Sequence, residues 1–334
     1  RCLSVFDGGF PLDAAEAVAS EASVASNNPS LGNWTPPSQP DLLASLVENN
    51  LVRHESTTNE APRYTMLETV REFAAEQLAA EGEEAAARQA HADYFLALAE
   101  DEGLAHFLPD GERRLDALEM EHANMLAALS WWEASAQPQQ RLAHAAALGG
   151  FWYARIHVRE GKEWLRRALE ANGLPPSPER ARALVWLSLI EFLRGEMEET
   201  SLHSTEGLRL CRELSGVWLE SDGGSVTVRS AELQPLRALT EAFAHYALGV
   251  ATFHLGEAGD AAACFEYGLA ASEAIPDPRL STMMVGNCTR SLGIIAGERG
   301  DYDEAERLYD TVLRLCQSVE FTSGVRRALG DLAF

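Results

Sequence analysis

Cysteine is scarce and scattered in this sequence, at positions 2, 211, 264, 288 and 316, and no two form a Cys-x-x-Cys pair. An odd, dispersed set excludes a disulfide framework and fits reduced thiols in a cytoplasmic protein. Cys211, Cys264 and Cys316 fall beside Leu and Phe on helical patterns, where they read as small core residues. No run of 18 apolar residues occurs, so no membrane-spanning helix is expected, and no secretory signal is visible. The nine histidines form neither His-Glu-x-x-His nor a His/Cys cluster, so no metal site is expected. Gly-x-Ser-x-Gly is missing, and the carboxylate pairs Glu83-Glu84 and Glu198-Glu199 read as solvated helix faces. A phosphate loop is missing too, because Gly161-Lys162 lacks both the first glycine and the following Ser or Thr. No catalytic residue, cofactor site or ATP hydrolysis is therefore expected from these residues. Positive charge is in deficit: 27 Lys and Arg against 51 Asp and Glu leave a net charge of -24. Neutralising DNA phosphates needs clustered cations, so no direct nucleic-acid contact is expected.

What is present is helix-forming. Ala, Leu and Glu are abundant, Pro is sparse within periodic segments, and hydrophobic residues make up 46% of the chain. The length suits about two to three domains. The first 80 residues stand apart. Asp7-Gly8-Gly9-Phe10 reads as a turn, and Asp13 as the cap of a short helix through Val18. Residues 20–40, rich in Ser, Asn and Pro, read as a loop, and Asp41 caps a helix apolar at 42, 43, 46 and 47 that stops at Asn49-Asn50. Residues 51–54 and 63–66 alternate like a two-stranded hairpin, and a further helix runs from about Thr69 to Ala80. Helix, helix, hairpin, helix is the order of a winged-helix domain. Residues 81–138 read as a helical connector of two long helices, broken at Leu108-Pro109-Asp110-Gly111.

From 139 to 334 the sequence repeats. Leu148-Gly149, Leu187-Ser188, Leu248-Gly249 and Leu292-Gly293 each open the same spacing. Seven residues after the small residue come Ile156, Gly195, Gly256 and Gly300, and twelve after come Gly161, Thr200, Ala261 and Ala305. Sixteen after come Leu165, Ser204, Phe265 and Tyr309. Small residues at these offsets let two antiparallel helices approach, while a large one fills the groove. The pattern resembles the tetratricopeptide repeat. Extra length maps to residues 172–179 and 217–230, and residues 328–334 read as a truncated further repeat, as if the chain were an internal piece of a longer protein. The fold class expected is all-α: a small winged-helix domain at 1–80, the connector at 81–138, and a tetratricopeptide-like α-solenoid at 139–334.

Four stretches carry a second resemblance. They are Arg63-Tyr64-Thr65-Met66-Leu67-Glu68-Thr69-Val70-Arg71-Glu72-Phe73-Ala74; Leu3 to Phe10 with Ala14-Ala15-Glu16; Leu43 to Val52; and Leu118 to Leu129, with its Glu-x-x-Asn at Glu121 and Asn124. Together they are similar to the segment that follows the nucleotide-binding core in bacterial STAND-type signal-transduction ATPases, many of them LuxR-type transcriptional regulators. The resemblance implies an upstream P-loop ATPase, with ATP as cofactor of the whole protein, and a separate DNA-binding domain. Where such ATPases place a nucleotide-touching His after the hairpin, this sequence has Leu67.

The helix before the hairpin, Asp41–Asn50, has no Lys or Arg, so the winged helix is expected to pack within the protein rather than read DNA. In the repeats, the first helix of each pair lines the concave face. Its inward positions give Tyr153; Arg182, Val185, Leu189 and Phe192; Phe243, Tyr246, Phe253 and His254; and Asn287, Arg290, Ile294 and Glu298. The candidate ligand face is Tyr153, Arg182, Phe192, Tyr246, Phe253, His254, Asn287 and Arg290, where aromatics beside Arg and His suit a partner protein or small inducer. The expected role is that of a sensor piece that controls the ATPase and its DNA-binding output. The alternative is a constitutive protein–protein scaffold with no switching.

Overall fold

The computed structural model describes residues 1–25, 39–55, 62–103, 111–171, 173–214, 229–318 and 330. The chain divides into two compact units, Arg1–Gly103 with Glu112–His144, and Leu104–Gly111 with Ala145–Phe334. The helices between residues 84 and 134 belong to the first unit.

The first unit opens with a short 3-10 turn, Cys2–Val5, and strand β1, Gly9–Pro11. Helices α1 (Leu12–Ala25) and α2 (Gln39–Glu48) follow, then β2 (Val52–Glu55), β3 (Arg63–Met66) and α3 (Glu68–Ala80). The expected hairpin is present, but the sheet has three antiparallel strands in the order β1-β3-β2. Here the sequence reading is corrected. Gly9 and Phe10 do not end in a turn; they pair with Thr65 and Tyr64 on the free edge of β3. A three-residue strand is too short to show alternation, so only the Asp7-Gly8 turn before it was legible. Helix α1 also runs past Val18 to Ala25.

Helices α4 (Glu84–Glu102), α5 (Gly111–Met120) and α6 (His122–Ala134) complete the unit with the first part of α7 (Pro138–Ala154). The second long helix expected here is in fact two, broken at Glu121. The core collects Phe6, Phe10, Phe95, Met125, Leu129 and Trp132, all fully buried. Phe6 stacks on Phe10 with ring centroids 4.6 Å apart and meets Phe95 edge-on at 6.2 Å.

The second unit is a solenoid-like stack of antiparallel helix pairs. After α7 come α8 (Val158–Leu169), α9 (Pro178–Leu193), α10 (Met197–Glu213), α11 (Arg229–His254), α12 (Ala258–Glu273), α13 (Pro278–Glu298) and α14 (Tyr302–Ser318). Each helix from α9 to α13 packs on the one before and the one after it, and α11 also packs on α9 and α13. Local chemistry sets the starts. Ser177 caps α9 by accepting from the Arg180 amide, Asp277 caps α13 by accepting from those of Arg279 and Leu280, and a proline follows each cap.

The repeat spacing has a direct physical reading. Gly195, Gly256 and Gly300 adopt φ of 78°, 92° and 82°, and Ile156 takes the same conformation at 62°. The next amide in each case reaches back five residues, from His157 to Trp152, Glu196 to Glu191, Glu257 to Thr252 and Asp301 to Ala296. This is the left-handed helix stop that satisfies orphan carbonyls and turns the chain. The anchor glycines mark close approach. A Cβ on Gly249 would lie 2.7 Å from the Phe265 ring, and one on Gly293 2.6 Å from that of Tyr309, both rings sixteen residues on. Gly149 faces Trp186 of the next pair instead, where a Cβ would lie 2.3 Å away. The long insertion at 217–230 falls mainly, and the proposed truncated repeat almost wholly, outside the described residues.

Candidate functional site

Three of the stretches that carry the family resemblance meet at one buried point in the first unit. Asn124 of α6 is 1% exposed. Its side-chain oxygen accepts from the Asp7 amide at 2.9 Å, and its nitrogen donates to the Gly9 carbonyl at 2.9 Å and to Glu121 at 2.8 Å. Glu121, itself buried, pairs with Arg63 of β3. His91 of α4 lies 3.3 Å from the Asn124 oxygen. The helix break at Glu121 is thus where α6 grips the β1 turn and the sheet together. A buried carboxylate and guanidinium are tolerable because every neighbour supplies a hydrogen bond. Behind this point His144, fully buried, accepts from Trp132 Nε1 at 3.2 Å and rests on Met125. Burial pushes the His91 imidazole down to about 4 and that of His144 down to about 3, the neighbouring histidine adding to the second shift. The network ties α6, the β1 turn and the sheet together.

The winged helix is acidic. Residues 38–79 contain seven acidic residues against three arginines, Arg53, Arg63 and Arg71. Arg63 is held by Glu121, and Arg71 is paired with Glu68 at 2.5 Å, leaving Arg53 on β2 as the exposed cation with no such described pairing. Helix α2 exposes Leu42, Ala44, Ser45 and Glu48. Leu67, at the end of the hairpin, is 38% exposed and precedes α3 without a side-chain cap.

In the second unit every candidate ligand residue lies on the first helix of a pair. Tyr153 is on α7, Arg182 and Phe192 on α9, Tyr246, Phe253 and His254 on α11, and Asn287 and Arg290 on α13. His254 is exposed, and the other seven are half-buried. The structure brings five of them into two groups. Tyr153 meets Trp186 at 6.1 Å, and Trp186 meets Phe243 at 5.1 Å. Arg182 lines a narrow cleft beside the last two rings. Further along, His254 lies between Phe192 at 6.4 Å and Phe253 at 5.7 Å. Phe192, Tyr246 and Phe253 also pack on the Val250, Phe265 and Cys288 core, so part of each ring holds adjacent pairs together. Val185, Leu189 and Phe243 are buried core residues rather than surface. Arg182 and Arg290 stand apart, with α11 packed between their helices. Sequence reasoning missed Trp186, the centre of the first group. Its signal was Gly149, whose missing side chain makes room for the indole.

The comparisons with known proteins support the winged helix of the first unit and a link to transcription regulation. A family model described as a winged helix-turn-helix domain matches residues 38–79. Proteins named as HTH-type transcriptional regulators, Mb0914c of Mycobacterium bovis and MT0914 and Rv0890c of two Mycobacterium tuberculosis strains, are each 34% identical over 170 residues. That is 51% of this chain and 18% of each relative, so the chain spans under a fifth of their length. Among the described residues no helix is long and apolar enough to cross a membrane.

Proposed function

We propose that this chain is the regulatory part of a multi-domain transcriptional regulator. In this reading the winged helix packs within the protein, and the helical repeats, tetratricopeptide-like in their spacing, receive a partner protein or small inducer. The observation that carries the reading is a winged helix-turn-helix domain with little free positive charge, attached to a stack of helix pairs that presents aromatic rings, Arg182, His254 and Arg290 along its first helices. DNA-reading helices set cations against phosphates, and α2 has none. The similarity to mycobacterial HTH-type regulators supports a role in transcription, and the sequence resemblance to STAND-type ATPases supports a P-loop ATPase elsewhere in the full-length protein. A ligand on the repeats would shift that ATPase between two states by binding one more tightly than the other.

Two measurements test this. Fluorescence anisotropy with duplex DNA at low salt should show no binding by this chain; submicromolar affinity that weakens steeply with salt would overturn the packing role. In the full-length regulator, the double change Arg182→Glu with Arg290→Glu should abolish the response to its signal while circular dichroism and melting stay near those of the parent. A normal response in the double variant would remove the first-helix face as the receiving surface.

A further inference from the structure

A second surface, away from the first-helix aromatics, has the features of a binding site. Helices α8 and α10 form the walls of an open groove of about 550 Å³, and α9 is its floor. Leu184 and Leu187 make the floor apolar, and Leu202, on the α10 wall, is 65% exposed. At one end lies Glu191, a carboxylate only 1% exposed. Such a group is costly to bury unless its oxygens are satisfied. Its Oε2 is 2.7 Å from His203 Nδ1. Its Oε1 is ion-paired with the Lys162 ammonium at 3.6 Å, too long for a hydrogen bond, and accepts no hydrogen bond among the described residues.

The existing partners decide the sign of the ligand. The cations that line the groove are engaged. Lys162 makes its close contact with Glu196, Arg166 pairs with Glu170 at 2.8 Å, and Arg180 donates to the Leu169 carbonyl at 3.0 Å. Glu206 is held by Arg209. Spare capacity is left on the acidic side, at Glu191 Oε1 and at Glu199, an exposed carboxylate on the α10 wall. The field of a chain with net charge -24 favours a cation as well. We propose that this groove binds an organic cation on an apolar stem, an alkylammonium or guanidinium, with the charge on Glu191 and Glu199 and the stem on Leu184, Leu187 and Leu202. Lys162 then remains with Glu196. The same chemistry arises from a free amine or from a Lys or Arg side chain of a peptide.

Calorimetric titration of the 334-residue chain at low salt distinguishes these sources. The probes are n-hexylamine, the blocked peptide acetyl-Leu-Lys-Leu-amide, and hexanoate as the control of opposite charge. At least one cation should bind with a dissociation constant of about 0.1 mM or tighter, and hexanoate should not. Binding of hexylamine alone points to free amines, and binding of the peptide alone to a side chain. Glu191→Gln should weaken the successful probe about tenfold or more, because a charged hydrogen bond is lost. Glu199→Gln, on the surface where folding is not at risk, should weaken it by a smaller factor, and Arg182→Glu should leave it unchanged. The proposal is overturned if neither cation binds, if hexanoate binds as well as the amine, or if Glu199→Gln binds as the parent does.

Discussion

Single residues set the geometry of the repeats, and two kinds of substitution expose how. Ile156 holds a left-handed conformation that three other turns assign to glycine, with φ of 62°, and its side chain is 70% exposed. That conformation costs an L-residue about 1–2 kcal/mol, and more when it is β-branched. Replacing Ile156 with Gly relieves the strain and loses little burial, but adds unfolded-chain entropy of about 0.5–1 kcal/mol. The net expectation is a gain of about 0.5–1 kcal/mol, read as a raised midpoint in urea unfolding. The reverse change, Gly256→Ile, should lower it. Gly293→Leu tests the other kind. Its Cβ would meet Tyr309 at 2.6 Å, so the ring must move, at a cost of about 1–3 kcal/mol. An unchanged melting temperature would mean that Tyr309 has room the structure does not show.

Among the elements, α6 matters most, because one asparagine on it joins the β1 turn, Glu121 and His91. Asn124→Ala would remove the side-chain partner of the Asp7 amide and the Gly9 carbonyl, both at part-buried bonds, and leave Glu121 with Arg63 alone. The expected destabilisation is about 3 kcal/mol, and hydrogen exchange should show β1 opening before the rest of the unit. Uniform protection loss across both units would count against a local clamp. The same elements show what could be read without coordinates. The helices, the β2–β3 hairpin and the turn positions at 195, 256 and 300 were legible, because periodicity and left-handed glycines are local properties. Strand β1 was not, since three residues carry no period and its pairing with β3 spans over fifty residues. The break at Glu121 was hidden too: Met120 and His122 continue the helical pattern, and only the contacts of Glu121 with Arg63 and Asn124 reveal it. On the candidate face, position along the first helix was readable. How much of each ring is used up between repeats was not, because that depends on neighbours a repeat away.

For the whole molecule, acid is the sensitive variable. His91 and His144 are buried neutral, with values lowered from 6.5 to about 4 and about 3. The unfolded chain therefore binds more protons than the folded one once pH drops below about 6.5. Their contribution is fully present above that value and is lost as pH falls toward the folded values. The depressed carboxylates, Glu68, Glu196, Glu206 and Glu304, act in the same direction but only near and below 4.5. Between pH 6.5 and 5 the histidines should dominate, so the melting temperature of the first unit should fall across that window. His144→Gln removes one titrating group. Whatever it does to stability at pH 8, the slope between pH 6.5 and 5 should become shallower, and an equal slope would mean that other groups carry the effect.

Lys162 has a practical consequence. It is the one lysine among 334 residues, and its side chain is 22% exposed on the wall of the α8–α10 groove. Apart from the terminal amine, every reagent that acylates amines has a single target on this chain. A fluorescent succinimidyl ester or an acetyl transfer would therefore mark one known address, and the rate of that labelling would report whether the groove is open or covered.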